Sequence, residues 1–171
     1  MIAESKTQRI KIILNNSEGR KIMNAVELLK ADHDRVDKLF QKVKATEEGE
    51  HKELFKKIKF ELDTHTHIEE KIFYPRLKEE EELEDITLEG IEEHHQAKMF
   101  LRELANLSED SEKFEPKLKV LMEDITHHVQ EEEGIMFPKV EKIINASELE
   151  ELGKRMEEEK KNFQKSQGAS A

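Results

Sequence analysis

Two stretches of this sequence repeat the same pair of metal-binding residue types at the same spacing. The first contains His65 and Glu69, and the second, 63 residues later, contains His128 and Glu132. Residues four apart on a helix lie on one face, so each pair would point an imidazole and a carboxylate in the same direction. Imidazole and carboxylate ligands without thiolate suit iron, manganese or zinc. The repeat therefore indicates a metal site to which both stretches contribute.

Two further histidines lie on apolar stripes of predicted helices. His33 and His94 are 61 residues apart, and each occurs among apolar residues spaced three and four apart, the period of an amphipathic helix. The stripe of His33 contains Val26, Leu29, Val36, Phe40 and Val43, and that of His94 contains Ile91, Ala97, Leu101 and Leu104. The two His–Glu pairs lie on similar stripes with Ile58, Leu62 and Ile72, and with Leu118, Leu121, Ile125 and Ile135. Helices with one histidine therefore alternate with helices carrying a histidine and a glutamate.

Four such helices joined by short connections predict an all-α fold, an up-down-up-down four-helix bundle. Its core should be apolar, because burying an uncompensated polar group costs about 2–7 kcal/mol. Six ionisable residues nevertheless fall on the predicted seams: His33, His65, Glu69, His94, His128 and Glu132. Four imidazoles and two carboxylates suit two metal ions. We expect Glu69 and Glu132 to bridge them and two histidines to bind each ion.

Four other histidines are out of phase with these seams. They lie about 100° or 200° around the helix from the nearest ligand candidate, or near a helix start. We interpret His51 as exposed, and His67, His95 and His127 as exposed or as supports of a ligand. A rotated third or fourth helix would instead bring His95 or His127 onto the seam in place of its neighbour, and this alternative stays open.

Two pairs of residues next to the candidate ligands also need an interpretation. Glu70 and Glu133 either orient a ligand imidazole or lie on the surface, and we favour the surface. Tyr74 and Phe137, each immediately before a proline, are interpreted as core residues at one end of the bundle. Tyr74 is the only tyrosine and is therefore also a candidate for proton transfer or redox chemistry.

The composition excludes several classes of function. The chain has 171 residues, 40% of them charged and 5% aromatic, which suits one helical domain. A net charge of -11 without a basic stripe argues against nucleic acid and anionic membranes as partners. The absence of cysteine excludes disulfides and thiolate metal sites. The first apolar run is too short for a signal peptide or a membrane span, so we expect a cytoplasmic protein.

The chain divides into four predicted segments. They are an N-terminal arm at 1–22, the bundle at 23–145, a C-terminal helix at 146–166 and a disordered tail at 167–171. Asn24 with Glu27, and Ser147 with Glu150, have the spacing of capping boxes at the starts of the first and fifth helices. Pro75 should end or kink the second helix about a turn later. The acidic run 79–82 is interpreted as the connection to a third helix that begins near residue 86.

The motifs around the six candidate ligands resemble those of the hemerythrin-like, or HHE cation-binding, family. They are L-L-K-A-D-H-D-R-V, H-x-x-x-E-E-x-x-F-Y-P, E-E-H-H-Q and H-x-x-x-E-E-x-x-M-F-P, within about residues 24 to 140. The resemblance implies a four-helix bundle that holds a non-haem di-iron centre. Oxygen-carrying hemerythrins have a further histidine where this chain has Lys98, and an aspartate where it has Glu132. The chain therefore resembles a symmetric branch of the family rather than the oxygen carriers.

This resemblance implies a cofactor of two iron ions, with manganese or zinc as weaker candidates. We expect a protein that binds or senses O2, reactive oxygen or nitrogen species, or iron itself, with O2, peroxide or NO as the ligand. A peroxidase or catalase-like enzyme at the same centre is the first alternative. A structural zinc bundle without redox chemistry is the second. The sequence identifies no protein partner.

Overall fold

The computed structural model describes residues 22–168. Within that range the chain forms five helices and no strand, which confirms the predicted all-α class and the additional C-terminal helix. Helix α1 spans Ala25–Ala45, α3 spans Glu81–Asn106 and α5 spans Ala146–Gly168. The predicted arm, apart from Ile22, and residues 169–171 of the predicted tail lie outside the described range.

Helices α2 and α4 share an unusual construction, because a five-residue π-helical turn interrupts each of them. Helix α2 consists of Lys52–Ile68, the π turn Glu69–Phe73 and the final segment Tyr74–Leu77. Helix α4 consists of Phe114–Glu131, the π turn Glu132–Met136 and the final segment Phe137–Ile143. Both π turns therefore begin at a candidate bridging glutamate. Both are followed by a segment with proline in its first turn, where the missing backbone donor is tolerated.

The π turns correct one prediction about the buried seam. A regular helical period places Ile135 on the seam after Glu132, yet Ile135 is 47% exposed and Met136 is buried instead. A π turn contains one residue more than an α turn, so the buried face moves forward by one position. Ile72 remains buried together with Phe73 in the corresponding turn of α2.

The helix starts follow local hydrogen bonds. At the start of α1, the Asn24 side chain accepts from the Glu27 amide at 2.9 Å and the Glu27 carboxylate accepts from the Asn24 amide, which confirms the capping box. The prediction for α5 was wrong, because Asn145 rather than Ser147 accepts a helix amide, that of Glu148. Helix α3 begins at Glu81, so the second half of the acidic run is helical rather than a connection.

The apolar core consists of two clusters with the six candidate ligands between them. One cluster includes Leu29, Ile68, Phe73, Phe137 and Met156, and the other includes Phe40, Ile58, Leu101, Phe114 and Leu121. Helix α5 packs on α1 and α2 and contributes Leu149, Leu152 and Met156 to the first cluster. The bundle is therefore apolar at both ends and ionisable in its middle layer. None of the helices described here has the length and hydropathy required to cross a bilayer.

Candidate metal centre

The structure brings all six predicted ligands into the middle layer of the bundle, and all six side chains are buried. Their ligand atoms form two groups, within each of which the atoms lie no more than 4.8 Å apart. One group consists of His33, His65 and Glu132, and the other of Glu69, His94 and His128. Each group thus combines two histidines from one consecutive pair of helices with a glutamate from the other pair.

The two carboxylates lie between the histidine pairs. Glu69 Oε2 is 3.1 Å from His65 Nε2 and 3.3 Å from His94 Nε2. Glu132 Oε2 is 3.1 Å from His33 Nε2 and 3.5 Å from His128 Nε2. One oxygen of each glutamate therefore approaches an imidazole of both pairs, an arrangement that suits a carboxylate shared by two cations.

Several buried polar atoms of this layer have no hydrogen-bond partner among the described residues. They are His33 Nε2, both ring nitrogens of His65, both carboxylate oxygens of Glu69, and Glu132 Oε2. Unpaired buried polar atoms are uncommon in folded proteins and require a compensating ligand. Because these atoms are all nitrogen or oxygen donors and converge on one region, they fit iron, manganese or zinc.

The pKa shifts of the residues in this layer also favour a bound cation. Burial raises the pKa of Glu69 well above its usual range, and the neighbouring carboxylate of Glu132 raises it further. Burial also opposes ionisation of Glu132, but the charges of His128 and His33 outweigh it and lower the pKa of Glu132. Burial and the charge of His33 lower the pKa of His65. Two ionised carboxylates would therefore need additional positive charge in this layer.

Carboxylates hydrogen-bonded to Nδ1 fix the orientation of three of the four imidazoles, those of His33, His94 and His128. His33 Nδ1 lies 2.7 Å from Glu133 Oε1, and His94 Nδ1 lies 3.1 Å from Glu70 Oε1. These contacts leave Nε2 facing the centre of the bundle. Glu70 and Glu133 therefore combine the two interpretations, because their side chains are 34% and 40% exposed and yet contact imidazoles. The contact with His94, together with that of Lys98, lowers the pKa of Glu70 to about 2.

Sequence reasoning missed two further carboxylates of this kind. Glu93 Oε2 lies 2.6 Å from His128 Nδ1, and Asp32 Oδ2 lies 3.6 Å from His65 Nδ1. Both occupy the position immediately before a candidate ligand on α1 or α3, and both face the histidine of the neighbouring helix. The signal was present in the sequence as the 61-residue repeat, which aligns Asp32 with Glu93.

The out-of-phase histidines differ in their surroundings. His95 and His127 are 72% and 67% exposed, so the structure places their neighbours, not them, in the buried layer. His67 is partly exposed and stacks on Phe163 of α5 at 4.0 Å between ring centroids. The prediction that His51 is exposed was wrong, because it is buried.

Tyr74 is a core residue, and its hydroxyl also reaches the centre. The hydroxyl donates to Glu132 Oε1 at 2.9 Å, and the ring stacks on His94 at 5.3 Å between centroids. Phe137 stacks in the same way on His33, at 5.8 Å. Burial, followed by the Glu132 charge, raises the pKa of Tyr74 well above its usual range, so the phenol remains protonated. The hydroxyl is the one clear difference between these two positions.

The Hemerythrin HHE cation binding domain family matches residues 24–140 of this chain. The chain belongs to the hemerythrin HHE cation-binding family. The match extends from the cap of α1 to the final segment of α4, and it includes all six residues of the buried layer. The family match and the two His and Glu groups together support cation binding by this hemerythrin-family protein.

Two individual proteins are similar to this chain. A crystal structure of a hemerythrin HHE cation binding domain-containing protein, the Rv2633c homologue from Mycobacterium kansasii, is 28% identical with a TM-score of 0.72. The similarity covers 84% of this chain and 89% of that chain. A DNA nickase of Nostoc sp. (strain PCC 7120 / SAG 25.82 / UTEX 2576) is 24% identical over 150 residues. That match covers 87% of this chain and 42% of the nickase, so the chain spans less than half of that relative's length.

Proposed function

We propose that this hemerythrin-family protein binds two iron ions in the buried layer of its bundle. His33 and His65 hold one ion, His94 and His128 hold the other, and Glu69 and Glu132 bridge them. The observation that carries this proposal is the position of each glutamate oxygen between an imidazole of one pair and an imidazole of the other. The unpaired buried donor atoms support it independently.

The chemistry of the donor set supports iron, and hence a role in binding or sensing small molecules. Four imidazoles and two carboxylates stabilise both common oxidation states of non-haem iron. An iron centre held by these residues would provide a binding site for O2, peroxide or NO. Lys98, at the place of the additional histidine of oxygen carriers, is occupied by two contacts with Glu70 at 2.5 and 2.6 Å. We therefore propose a symmetric set of four histidines without a fifth.

One observation favours peroxide consumption as a second candidate function. Turnover requires a proton donor at the centre, and the protonated Tyr74 hydroxyl lies 2.9 Å from Glu132 and 3.4 Å from His94 Nε2. An enzyme would consume many equivalents of peroxide for each loaded protein, whereas a sensor would react once. Tyr74→Phe should then reduce turnover and leave iron content intact.

Metal content and an absorption spectrum of the iron-supplemented protein test the proposal. We expect about two irons for each chain and ligand-to-metal charge-transfer bands. His65→Ala should lose iron, while His95→Ala, which removes an exposed histidine, should retain it. Zinc, or no metal after careful iron loading of folded protein, would overturn the iron proposal and leave a structural bundle without redox chemistry.

A further inference from the structure

A small cavity between α3 and α4 connects the protein surface with the candidate centre. Its volume is about 210 Å³, and the buried imidazoles of His94 and His128 line its inner end. Gln96 and His127, both exposed, line its outer end, and the small side chain of Ala97 forms part of the wall. The cavity therefore joins solvent to the histidine pair of the second half of the bundle.

A second group of candidate metal ligands, the outer group, includes two residues, Glu93 and His127, that line this cavity. Ligand atoms of Glu93, His127 and Glu131 lie within 4.8 Å of one another, and His127 Nε2 is 3.5 Å from Glu131 Oε1. Glu93 contacts the inner histidine pair as well as the outer group, because its Oε2 is also 2.6 Å from His128 Nδ1. A cation held by this outer group would therefore be one side chain away from the inner histidine.

The other half of the bundle provides an internal comparison for this cavity. Subtracting 61 from a number in α3, or 63 from one in α4, gives the equivalent position in α1 or α2. Ala97 then corresponds to Val36, His127 to Thr64 and Glu131 to Ile68. Each of these replacements is buried, and Thr64 and Ile68 are fully so. In the first half, buried side chains therefore occupy the place that corresponds to the opening of the second half.

Ion pairs and helix α5 complete the closure of the first half. Arg35, the equivalent of Gln96, forms ion pairs with Asp32 and with Glu61, the latter at 3.3 Å, whereas the uncharged Gln96 donates a hydrogen bond to Asp124, the equivalent of Glu61. Lys160 of α5 also forms an ion pair with Asp32, and α5 packs on α1 and α2. The two halves thus offer equivalent candidate ligands, and the cavity described above approaches those of the second half.

We propose that ferrous ion reaches the centre through the α3–α4 cavity and is first bound by Glu93, His127 and Glu131. This inference rests on the proposed function, since it concerns how that centre acquires its metal. Carboxylate and imidazole donors suit a hydrated divalent cation, and the negative charge at the opening attracts it. Glu93, whose carboxylate also contacts His128 Nδ1, connects the outer group with the His94 and His128 pair.

The rate of metal uptake tests the inference without any measurement of activity. The metal-depleted full chain is mixed with Co2+, uptake is followed by the cobalt absorption bands, and the final metal content is measured. The double variant H127A/E131Q should take up Co2+ about fivefold to tenfold more slowly and reach the same final content. Its matched control is H95A/E92Q, which removes a similarly exposed histidine and a more exposed glutamate of α3, 4.0 Å apart, outside the cavity. The control should load at the normal rate.

A second variant tests the route rather than the outer group. Ala97→Val introduces the residue that occupies the equivalent position of the closed half, so it narrows the cavity with a side chain that the fold accepts there. It should also slow uptake and leave the final content unchanged. Normal uptake rates in both A97V and H127A/E131Q would overturn the inference, and so would a lower final content in H127A/E131Q. Failure of the proposed function is distinguishable, because folded wild-type protein would then contain zinc or no metal after iron loading, whatever the relative Co2+ uptake rates of the variants.

Discussion

The two halves of the bundle contain equivalent candidate ligands in unlike surroundings. In the first half, α1 and α2 are covered by α5, and Lys160 forms an ion pair behind the ligand His65 by way of Asp32. In the second half, α3 and α4 leave a cavity that extends from solvent to His94 and His128. The repeat thus preserves the residues of the centre, while the residues around them differ in size, charge and cover.

This difference indicates that the two halves contribute to the centre in different ways. Closely packed side chains and ion pairs in the first half hold its histidines in place and exclude water. In the second half, the smaller side chain of Ala97 and the polar side chains of His127 and Glu131 should permit exchange with solvent at the cost of some packing. A symmetric ligand set can therefore belong to a site that small molecules and ions approach from one side.

The largest expected effect comes from removing the cover of the first half. Gly153 of α5 approaches α1 so closely that an added Cβ would lie 2.3 Å from Met23 O and 2.7 Å from the Asn24 carbonyl carbon. Backbone atoms at the start of α1 cannot move aside, so Gly153→Ala should lower the free energy of unfolding by about 3 kcal/mol. Urea unfolding, with protease cleavage in α5 as a second reading, measures the effect.

Gly134→Ala is the matched control, because a Cβ at Gly134 would meet nothing within 4 Å. It should leave stability unchanged or slightly higher. If α5 closes the first half, Gly153→Ala should also restore fast Co2+ uptake to H127A/E131Q. Equal stability of G153A and wild type would contradict the packing of α5 described above.

The second prediction concerns the carboxylates behind two equivalent histidines. Glu93→Gln should weaken metal binding about tenfold, because Glu93 contacts His128 directly and such partners typically contribute 10–100-fold to affinity. Asp32→Asn should weaken it less, because the Asp32 carboxylate is 3.6 Å from His65 Nδ1. Competition with a coloured chelator measures both affinities. A larger loss in D32N than in E93Q would show that the closed half is the more finely oriented one.

The fold and the six buried positions were predictable because they depend on local periodicity. Ionisable residues in phase with apolar ones on four helices leave few arrangements other than a shared polar layer. The exposed positions of His95 and His127 follow from the same period, since the helices rotate as expected around His94 and His128.

The remaining features depend on contacts between distant residues or on departures from the period. Glu133 contacts His33 across 100 residues, so its role was invisible to a reading of its own helix. The same is true of Glu93, which serves a histidine of α4 rather than one of α3. Ile135 was misplaced because a π turn adds a residue, and no single side chain in the sequence announces that turn.

The third prediction removes the hydroxyl that distinguishes the halves. Tyr74→Phe gives α2 the residue that α4 has at the equivalent position, Phe137, and deprives Glu132 of a hydrogen bond, so metal-depleted protein should lose about 1.5 kcal/mol of stability. The reciprocal Phe137→Tyr would bring a hydroxyl towards Glu69, whose oxygens have no hydrogen-bond partner among the described residues, and should be better tolerated than an added polar group elsewhere in the core. Urea unfolding of both variants measures this, and unchanged stability in Y74F would contradict it.

The smallest expected effect lies away from the centre, at the connection between α1 and α2. His51 is buried there, and its ring nitrogens contact the Glu115 carboxylate at 2.7 Å and the Thr46 carbonyl at 3.2 Å. Burial alone would lower the pKa of His51, but the hydrogen bond to Glu115 outweighs it and the pKa is raised. The charged pair therefore stabilises the fold fully below the unfolded pKa of His51, and this contribution is lost as pH rises through the folded value.

Glu115→Gln removes the charge that raises this pKa and retains the size of the side chain. It should lower the free energy of unfolding by about 1 kcal/mol near pH 5.5 and by less near pH 8.5, because the contribution of the charged pair decreases as pH rises through the raised pKa of His51. The partial exposure of Glu115 keeps the effect this small. Urea unfolding at the two pH values measures the difference. A loss that is equal at both, or greater at the higher pH, would mean that His51 is neutral in the folded protein and that Glu115 acts only through uncharged hydrogen bonds.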